Sequence, residues 1–419
     1  MLNIDLDSAA GAALLAALAE RHGDALARAA RLPSRLFLLR SPHAPGLRFV
    51  GGEVDPARVL KLATHHGAFS LAGSGEKLED AFAACLGEGV ERLSQVERPG
   101  DAVRECSYEE AARQIMPAAR SMIQTLLRGS HCSEKSPVAW MSGKASAADV
   151  LIPADWCMRR HAKGPLAIPG AALSTGCAAG ANFEAAASRA LLEVVERDAV
   201  SLWWVGGQRA KPLAGESAAM AEAVRLLGVL RQGSEERASW LLDLTTDLGI
   251  PCVAAISLDG NGKGLACGFA ARLALEAAAR AAVFEMCQME LALPLVLAKR
   301  QQGGEAALND VDRRHLDRAA RIAADRCALI HPLGSPGRYS APACDGPREE
   351  LAALLAALAH RDVEVGLVDL TRPDFGIPVV GAIAPQLQLL PCSLHTERLQ
   401  SVIANTGGGE RWTEGVPLL

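Results

Sequence analysis

A chain of 419 residues that is 50% hydrophobic can bury a large core, and its length allows two or three domains or one elaborate domain. Acidic and basic residues are interspersed with a net charge of −5, which excludes the basic surface expected of a nucleic-acid-binding protein. The 11 cysteines are scattered without a Cys-x-x-Cys pair, so we expect no zinc site and reduced thiols in a cytoplasmic protein.

The N-terminal stretch from Met1 to Ala30 is apolar but contains six charged residues. This pattern predicts one or two amphipathic helices rather than a membrane span. No other stretch is expected to be long and uncharged enough to cross a bilayer, so we expect a protein without a membrane partner.

Helices and strands alternate along the whole chain. Helices are predicted at 8–30, 79–93, 108–127, from a Gly/Ala turn at 174–180 to about 202, and at 218–232, 274–298, 306–326 and 349–360. Strands are predicted at 35–40, 150–153, 251–257, 265–270, 363–370 and 378–384. A glycine turn is predicted at 73–75, and hairpin turns at 259–264 and 372–376 suggest antiparallel pairing. The predicted class is therefore α+β, or mixed α/β.

The adjacent histidines His65 and His66 are expected to be solvated or to cap an element. Neighbouring residues on a helix or strand do not face one metal site.

One pattern, Glu-x-x-Glu-Arg, occurs twice in Ala/Leu-rich stretches: from Glu88 to Arg92 and from Glu193 to Arg197. Residues three and four apart share a helix face, so each copy presents two carboxylates and a guanidinium on one stripe. If the helices face each other, four carboxylates converge and repel one another unless cations neutralise them. Carboxylates suit Mg²⁺ and arginine suits phosphate, so the pattern predicts a Mg–nucleotide site. For either copy alone, ordinary surface ion pairs are the alternative.

Four motifs in order make the chain resemble the YcaO superfamily. The first two motifs are Cys85 to Ser94, around the first Glu-x-x-Glu-Arg, and Ser174 to Gly180 with Glu193 to Asp198. The third is the segment from Arg280 to Gln288, which resembles the family's Arg-Ala-x-x-Glu-x-x-Gln helix but has one more residue between Ala281 and Glu285. The fourth is the strand–turn–strand from Val368 to Val380. Trp140, Gly143 and Pro153 fall where azoline-forming members have a Trp-x-x-Gly…Pro run. The resemblance covers roughly residues 45–390.

The resemblance implies a YcaO-type fold, with mixed or antiparallel sheets flanked by helices and an internal pseudo-repeat of the Glu-x-x-Glu-Arg helix. It implies a YcaO domain at 45–395 and a C-terminal tail at 396–419. Residues 1–44 lie outside the resemblance and are expected to form an extension that is either a docking element or a helical cap.

YcaO proteins bind ATP and Mg²⁺ and use them to activate a backbone amide. In the azoline-forming branch, a Cys, Ser or Thr side chain of a precursor peptide attacks the preceding carbonyl, whose oxygen then takes the γ-phosphoryl group. Loss of phosphate leaves a thiazoline or oxazoline. The resemblance therefore implies an ATP-dependent peptide cyclodehydratase.

Roles follow from the resemblance, position by position. The implied metal ligands are Glu88, Glu91, Glu193, Glu196 and Glu285. The implied nucleotide-binding residues are Ser74, Arg92, Arg197, Arg280 and Gln288, and the implied catalytic residues are Glu193, Glu196 and Arg197.

The chain departs from the family pattern in two places, at the start of the nucleotide site and in the C-terminal tail. Many members begin the first site with Gly-Lys-Gly, whereas this chain has Gly73-Ser74-Gly75 and therefore lacks that lysine. Azoline-forming members commonly end in a Pro-x-Pro-x-Pro tail that reaches the active site, and here only Pro417 remains.

The chain has no recognisable leader-binding module, so the resemblance implies partners. These are a ribosomally made precursor peptide, a leader-binding subunit like a ubiquitin-activating enzyme, and in some systems a flavin dehydrogenase. A homo- or hetero-oligomer is expected.

Three functions remain open at this stage. The first is azoline formation, favoured by the Trp-x-x-Gly run and the Thr-Arg-Pro-Asp stretch. The second is another YcaO reaction, either backbone thioamidation with a TfuA-like partner or macroamidine formation. The third is a non-catalytic scaffold subunit, which the missing lysine and altered tail motivate.

Overall fold

The computed structural model describes residues 2–63, 67–146 and 148–418, so the pair His65 and His66 lies outside the described residues. The strands are β1 (Leu2–Asn3), β2 (Arg35–Leu39), β3 (Arg48–Val54), β4 (Phe69–Gly75), β5 (Val103–Ser107), β6 (Pro137–Ala145), β7 (Ala148–Pro153), β8 (Cys177–Ala179), β9 (Arg237–Asp243), β10 (Cys252–Asp259), β11 (Ala266–Ala271), β12 (Gly366–Asp369) and β13 (Val379–Ile383). The helices are α1 (Ala9–His22), α2 (Asp24–Ala29), α3 (Pro56–Leu60), α4 (Leu78–Ser94), α5 (Tyr108–Ala111), α6 (Pro117–Gly129), α7 (Phe183–Trp204), α8 (Ala218–Arg231), α9 (Leu275–Met289), α10 (Ala292–Gly303), α11 (Asp310–Arg321), α12 (Pro347–Ala359), α13 (Glu397–Thr406) and α14 (Glu410–Thr413).

The strands form three sheets whose paired strands are all antiparallel. The first is the meander β1-β2-β3-β4, the second has the order β11-β10-β9, and the third has the order β5-β6-β12-β13-β8 with β7 beside β6. The predicted α+β class and the antiparallel hairpins are confirmed. The first two strands, which lie in the predicted N-terminal extension, complete the same sheet as β3 and β4.

Three helices connect these sheets. Helix α4 packs against β3 and β4 and also contacts β8, while α9 packs against β10 and β11 and also contacts β4. Helix α7 contacts β8 and β13 of the third sheet and β10 and β11 of the second, and it is buried along most of its length. The two Glu-x-x-Glu-Arg helices and the helix that contains Arg280 to Gln288 therefore lie near one another.

Glycines on the strands allow this close packing. A Cβ on Gly73 would lie 2.2 Å from the carbonyl oxygen of Ala81 in α4. A Cβ on Gly268 would lie 2.1 Å from the backbone nitrogen of Met286 in α9. Neither position has room for a side chain, so glycine sets how closely each helix approaches its strand.

Several element predictions were wrong in detail. Residues 73–75, predicted as a turn, form the end of β4, and the predicted Gly/Ala turn at 174–180 contains β8. The predicted helix at 108–127 is broken before Pro117, because the residue before proline disfavours helical backbone. The predicted helix at 274–298 is broken at Glu290, four residues before Pro294, where a proline ring clashes with the helix carbonyl.

The segment Leu275–Gly303 is long and apolar enough to span a membrane by length and composition, contrary to the expectation above. It comprises α9 and α10, and α9 packs in the core against β10 and β11. A core helix passes the same test, so this single segment is weak evidence for a membrane span.

Candidate functional site

Five glutamates, three arginines and one glutamine of the sequence motifs stand on α4, α7 and α9. Helix α4 carries Glu88 and Glu91, α7 carries Glu193 and Glu196, and α9 carries Glu285. Asn182 caps the N-terminus of α7 by accepting from the Ala185 backbone, which starts the helix that presents the second motif. The acidic residues come from three separate parts of the chain.

One glutamate on each helix accepts a hydrogen bond from a backbone amide in or next to the strand that precedes that helix. The pairs are Glu88 with Ala72 at 2.7 Å, Glu193 with Gly176 at 3.2 Å, and Glu285 with Phe269 at 2.6 Å. The carboxylate follows the amide by 16 or 17 residues in all three cases. The predicted two-copy repeat of the helix therefore extends to a third strand–helix unit, which lacks the Glu-x-x-Glu-Arg pattern.

Glu91 connects the first unit to the second. Its Oε1 accepts from the Ala179 backbone of β8 at 2.7 Å, so a residue of α4 is fixed to the strand that precedes α7. Burial raises the pKa of Glu91 to about 8, the hydrogen bond from Ala179 opposes this, and the negative charges of Glu193 and Glu88 raise it further. Glu91 and Glu193 are therefore near enough to repel each other.

The carboxylates of α7 and α9 also interact through their charges. Burial raises the pKa of Glu193 and of Glu196, the latter to about 8. The charge of Glu285 adds to both shifts, and burial raises the pKa of Glu285 itself. The carboxylates of the three helices thus form one electrostatic cluster in which ionisation is costly.

Arg197 is the main counter-charge in this carboxylate cluster. Its Nη2 lies 3.5 Å from Glu193 Oε1 and its Nη1 lies 3.3 Å from Glu196 Oε1. Burial lowers the pKa of Arg197, but Glu196, Glu193 and Glu285 outweigh burial and raise it. The Nη1 atom is buried and has no hydrogen-bond partner among the described residues, despite its distance to Glu196.

Arg92 on α4 has a similar position. It pairs with Glu88 one turn earlier, and its Nε atom is buried without a hydrogen-bond partner in the described part of the chain. Each Glu-x-x-Glu-Arg copy therefore leaves one guanidinium nitrogen without an acceptor. Phosphate oxygens are acceptors of the kind that arginine binds.

Among the described residues, no three His, Cys, Asp or Glu side chains form a ready-made metal-binding group. Each anchored carboxylate is held by its own amide, and the glutamates interact through charge rather than around one point. Mg²⁺ keeps several waters and typically binds one or two carboxylates together with substrate phosphates. The donor set therefore fits Mg²⁺ that arrives with a nucleotide, rather than a cage made wholly of protein.

The family described as YcaO cyclodehydratase, ATP- and Mg²⁺-binding, matches residues 72–388. The chain belongs to this family. The matched region contains all three helices of the carboxylate cluster. Comparison with curated protein sequences finds no significant match.

Solved structures agree with the YcaO assignment at the level of fold. The chain is similar to a heterocyclase in complex with substrate and cofactor, with TM-score 0.72, 21% identity, and coverage of 97% of this chain and 56% of that chain. It is also similar to YcaO from Methanopyrus kandleri bound with AMPPCP and Mg²⁺, with TM-score 0.62, 19% identity, and coverage of 90% and 91%. The Escherichia coli microcin synthetase McbBCD complex gives TM-score 0.62, 16% identity, and coverage of 92% and 91%. The chain thus spans only about half of the first heterocyclase.

The remaining residues of the YcaO motifs are placed less directly. Arg280 donates to Glu222 at 2.6 Å and to Glu76 at 2.5 Å, so its guanidinium is engaged outside the carboxylate cluster. Ser74 lies on β4 opposite Phe49, two residues before Glu76.

Gln288 is half-buried on α9, one turn after Glu285. Its position on α9 is compatible with the nucleotide-binding role that the motif implies.

Three arginines near the cluster were missed by sequence reasoning. Arg189, on α7, donates to the Ala179 carbonyl, and its positive charge opposes the rise in the pKa of Glu91. Arg272, just before α9, opposes the rise in the pKa of Glu196 in the same way. Arg159 lies beside Arg92. Arg189 precedes Glu193 by one helical turn, which a search for basic residues on the same face would have found. No sequence signal marks the other two.

The C-terminal tail packs against the far end of α7. Trp204 Nε1 donates to the Val416 carbonyl at 2.8 Å, and Arg318 donates to the Leu418 carbonyl at 2.5 Å. The segment around Pro417 is therefore fixed at the helix end that follows the second motif, about two turns beyond Arg197.

Proposed function

We propose that this protein is an ATP- and Mg²⁺-dependent cyclodehydratase subunit that phosphorylates backbone amide oxygens of a ribosomally made precursor peptide. The products are thiazoline and oxazoline rings made from Cys, Ser and Thr. The observation that carries the proposal is the buried carboxylate cluster of α4, α7 and α9, which repels itself and contains guanidinium nitrogens without acceptors.

The five glutamates would hold Mg²⁺, directly or through water. These are Glu88, Glu91, Glu193, Glu196 and Glu285. Burial raises the pKa values of four of them, and the charges of neighbouring glutamates add to the rise in Glu91, Glu193 and Glu196. A bound dication would relieve this repulsion and favour the ionised carboxylates. The backbone amides that hold three of them would keep the ligands in place before the nucleotide binds.

Arginines would bind the phosphates of the nucleotide. Arg197 and Arg92 each have a buried nitrogen free to donate to a phosphate oxygen. Ser74 and Gln288 would add neutral contacts, and Arg280 would contribute only if it exchanged a carboxylate partner for phosphate. Bound Mg·ATP supplies the phosphoryl group that turns the amide oxygen into a leaving group. The protein would contribute mostly positioning and charge neutralisation, and Glu193, Glu196 and Arg197 are the residues proposed to act on the transferred group.

Partners are part of the proposal. The E. coli microcin synthetase McbBCD complex, similar in fold to this chain, is known with pro-MccB17 bound. We propose that this chain likewise acts on a precursor peptide, in a cytoplasmic homo- or hetero-oligomer with a leader-binding subunit like a ubiquitin-activating enzyme. A flavin dehydrogenase would oxidise azolines in systems that make azoles.

The test is Mg²⁺-dependent ATP consumption with the genome-encoded neighbouring peptide and partner subunit, followed by mass spectrometry of the peptide. Azoline formation removes one water for each ring and consumes one ATP, whereas thioamidation replaces oxygen by sulfur and needs a sulfide source. ATP consumption without water loss from the peptide would reject the azoline proposal. No ATP consumption, with binding to the partner intact, would favour the scaffold alternative.

A further inference from the structure

A cavity of about 230 Å³ lies directly beside the carboxylate cluster. Its wall includes Val194, the neighbour of Glu193 on α7, and Thr175, the neighbour of the Gly176 amide that holds Glu193. Most of the remaining wall is apolar and comes from two segments, the loop that follows β7 and the segment that follows β13. Representative residues are Trp156, Met158, Ile168, Ala171, Leu387 and Leu389. An apolar space thus adjoins a highly charged site.

Arg159 on the cavity wall lacks an acceptor. Its Nε is buried and has no hydrogen-bond partner in the described residues, although its guanidinium lies 5.3 Å from the centre of the Phe69 ring. The next residue, Arg160, also lines the cavity but is paired with Glu97 and Asp155. A buried donor without a partner is costly, so a bound group with an acceptor would stabilise Arg159.

We propose that this cavity binds the apolar side chain of the peptide residue whose carbonyl is phosphorylated, and that Arg159 donates to a carbonyl oxygen of the peptide backbone. The inference rests on the proposed function. In azoline formation the reacting carbonyl belongs to the residue before the Cys, Ser or Thr, so the side chain of that residue must lie within a few bonds of the transferred phosphoryl group. The cavity is an apolar space that adjoins Glu193, one of the residues proposed to act on that group.

The adenine ring of a nucleotide is the competing occupant. Of the three helices of the carboxylate cluster, only α7 contributes to the cavity wall, and α4 and α9 contribute no residue to it. A nucleotide held between three helices is expected to contact all three. The cavity lies to one side of them, which favours the peptide.

The test uses the full-length chain and peptides of the form acetyl-Gly-Xaa-Cys-Gly-amide, with Gly, Ala, Leu, Phe, Asp or Lys at Xaa. Binding is measured by ligand-detected NMR with and without a saturating non-hydrolysable ATP analogue and Mg²⁺. Ala171→Leu narrows the cavity and Ile168→Ala widens it. The matched control is Ala352→Leu, the same change at an exposed position of α12.

We expect the Leu peptide to bind about tenfold more tightly than the Gly peptide, because its side chain is buried. Ala171→Leu should reduce this ratio to about twofold or less, Ile168→Ala should shift the preference toward Phe, and Ala352→Leu should leave it unchanged. Arg159→Gln should weaken all neutral peptides by a similar factor without changing their order.

Three results would overturn the proposal: no binding of any peptide, equal binding of the Leu and Gly peptides, or displacement of the peptides by the ATP analogue. The last would assign the cavity to the nucleotide. Binding of the analogue is recorded separately on the wild type and on Glu196→Gln, so a failure of the nucleotide site is distinguished from a failure of the cavity.

Discussion

Glu196 on α7 and Glu285 on α9 lie close enough for the charge of Glu285 to help raise the pKa of Glu196 to about 8. Burial is the larger cause, and Arg197 opposes it. Two neighbouring buried carboxylates with one shared arginine destabilise the ionised state of the protein at neutral pH. Such a pair is favourable when a cation binds between them, which is the physical basis of the proposed Mg–nucleotide site.

Replacing Glu196 by Gln should abolish ring formation without unfolding the protein. The amide has the shape of the carboxylate but no charge, so it removes a proposed Mg²⁺ ligand and one source of repulsion. We expect ATP consumption with precursor and partner to fall at least about 100-fold, because charge stabilisation of phosphoryl transfer is lost. The melting temperature should be unchanged or higher. Coupled ATPase assays and circular dichroism check both.

Glu276→Gln is the matched control, since Glu276 is an exposed residue of α9 outside the carboxylate cluster. It should keep wild-type turnover. Near-normal product from Glu196→Gln would contradict the assignment of Glu196 to the site.

The metal-free protein should lose stability as the pH rises from 6 to 8.5. The folded-state pKa values of Glu91 and Glu196 are raised to about 8, so these groups bind protons more tightly in the folded protein than in the unfolded chain. Their contribution is fully present below the pKa of an unfolded glutamate and is lost as the pH rises through about 8. The slope is at most about 1.4 kcal/mol per pH unit for each carboxyl.

Thermal melts at several pH values, in EDTA, measure this trend. Glu91→Gln combined with Glu196→Gln should flatten it. A metal-free protein that is most stable at pH 8.5 would show that these carboxylates are not repelled in the fold.

Arg197→Met should destabilise the protein, and more strongly at pH 8 than at pH 6. Arg197 lies within 3.5 Å of both Glu193 and Glu196, so its loss leaves buried carboxylates without a counter-charge. Removing one partner of a buried ion pair typically costs about 3–5 kcal/mol, and protonation of the glutamates at lower pH should reduce that cost. Urea titrations at the two pH values provide the measurement. Arg197→Lys keeps the charge, so its free energy of unfolding should lie between those of Arg197→Met and the wild type. A loss of stability that does not depend on pH would argue against the electrostatic cause.

The spacing within each motif was sufficient to predict which residues share a helix face, whereas the meeting of all three motifs was implied only by the family resemblance. Glu88, Glu193 and Glu285 stand in motifs with helical spacing, and spacing defines a helix face from local information alone. What anchors them could not be predicted, because Ala72, Gly176 and Phe269 contribute only backbone amides, which any residue provides. The identity of the side chains at these positions therefore gives no information about the contacts.

Arg159 and Arg280 show a second reason why parts of the site could not be predicted from the sequence. Arg280 stands in a motif that implies phosphate binding, yet its partners are Glu76 and Glu222, which lie in no motif. Arg159 lies in a loop without periodicity, and only the pairing of distant segments places it beside Arg92. The surroundings of both side chains depend on contacts between segments that are distant in the sequence.

Arg280→Gln should therefore affect nucleotide binding less than Arg197→Met does. Arg280 is 38% exposed and pairs with Glu76 and Glu222, so its loss should cost no more than about 1 kcal/mol of stability. Isothermal titration with Mg²⁺ and a non-hydrolysable ATP analogue compares the two variants. Equal loss of affinity would show that Arg280 leaves its carboxylates and binds phosphate.

Gly268→Ala should displace α9 and with it Glu285. A Cβ at Gly268 would lie 2.1 Å from the backbone nitrogen of Met286 and 2.2 Å from the Ala282 carbonyl oxygen, so the strand and helix must separate. Overpacking of this kind typically costs about 1–3 kcal/mol. The amide of Phe269, next in the strand, would then lose its 2.6 Å contact with Glu285, and nucleotide affinity should fall together with stability.

Gly228→Ala is the matched substitution, because Gly228 lies in the exposed face of α8 and a Cβ there meets nothing within 4 Å. It should stabilise the protein by about 0.5–1 kcal/mol and leave nucleotide binding unchanged, since alanine loses less backbone entropy than glycine in a helix. Urea unfolding and titration with the nucleotide analogue on both variants separate the two effects. If Gly268→Ala lowered stability but left nucleotide affinity intact, the strand amide would not be what positions Glu285, and the carboxylate would owe its place to α9 alone.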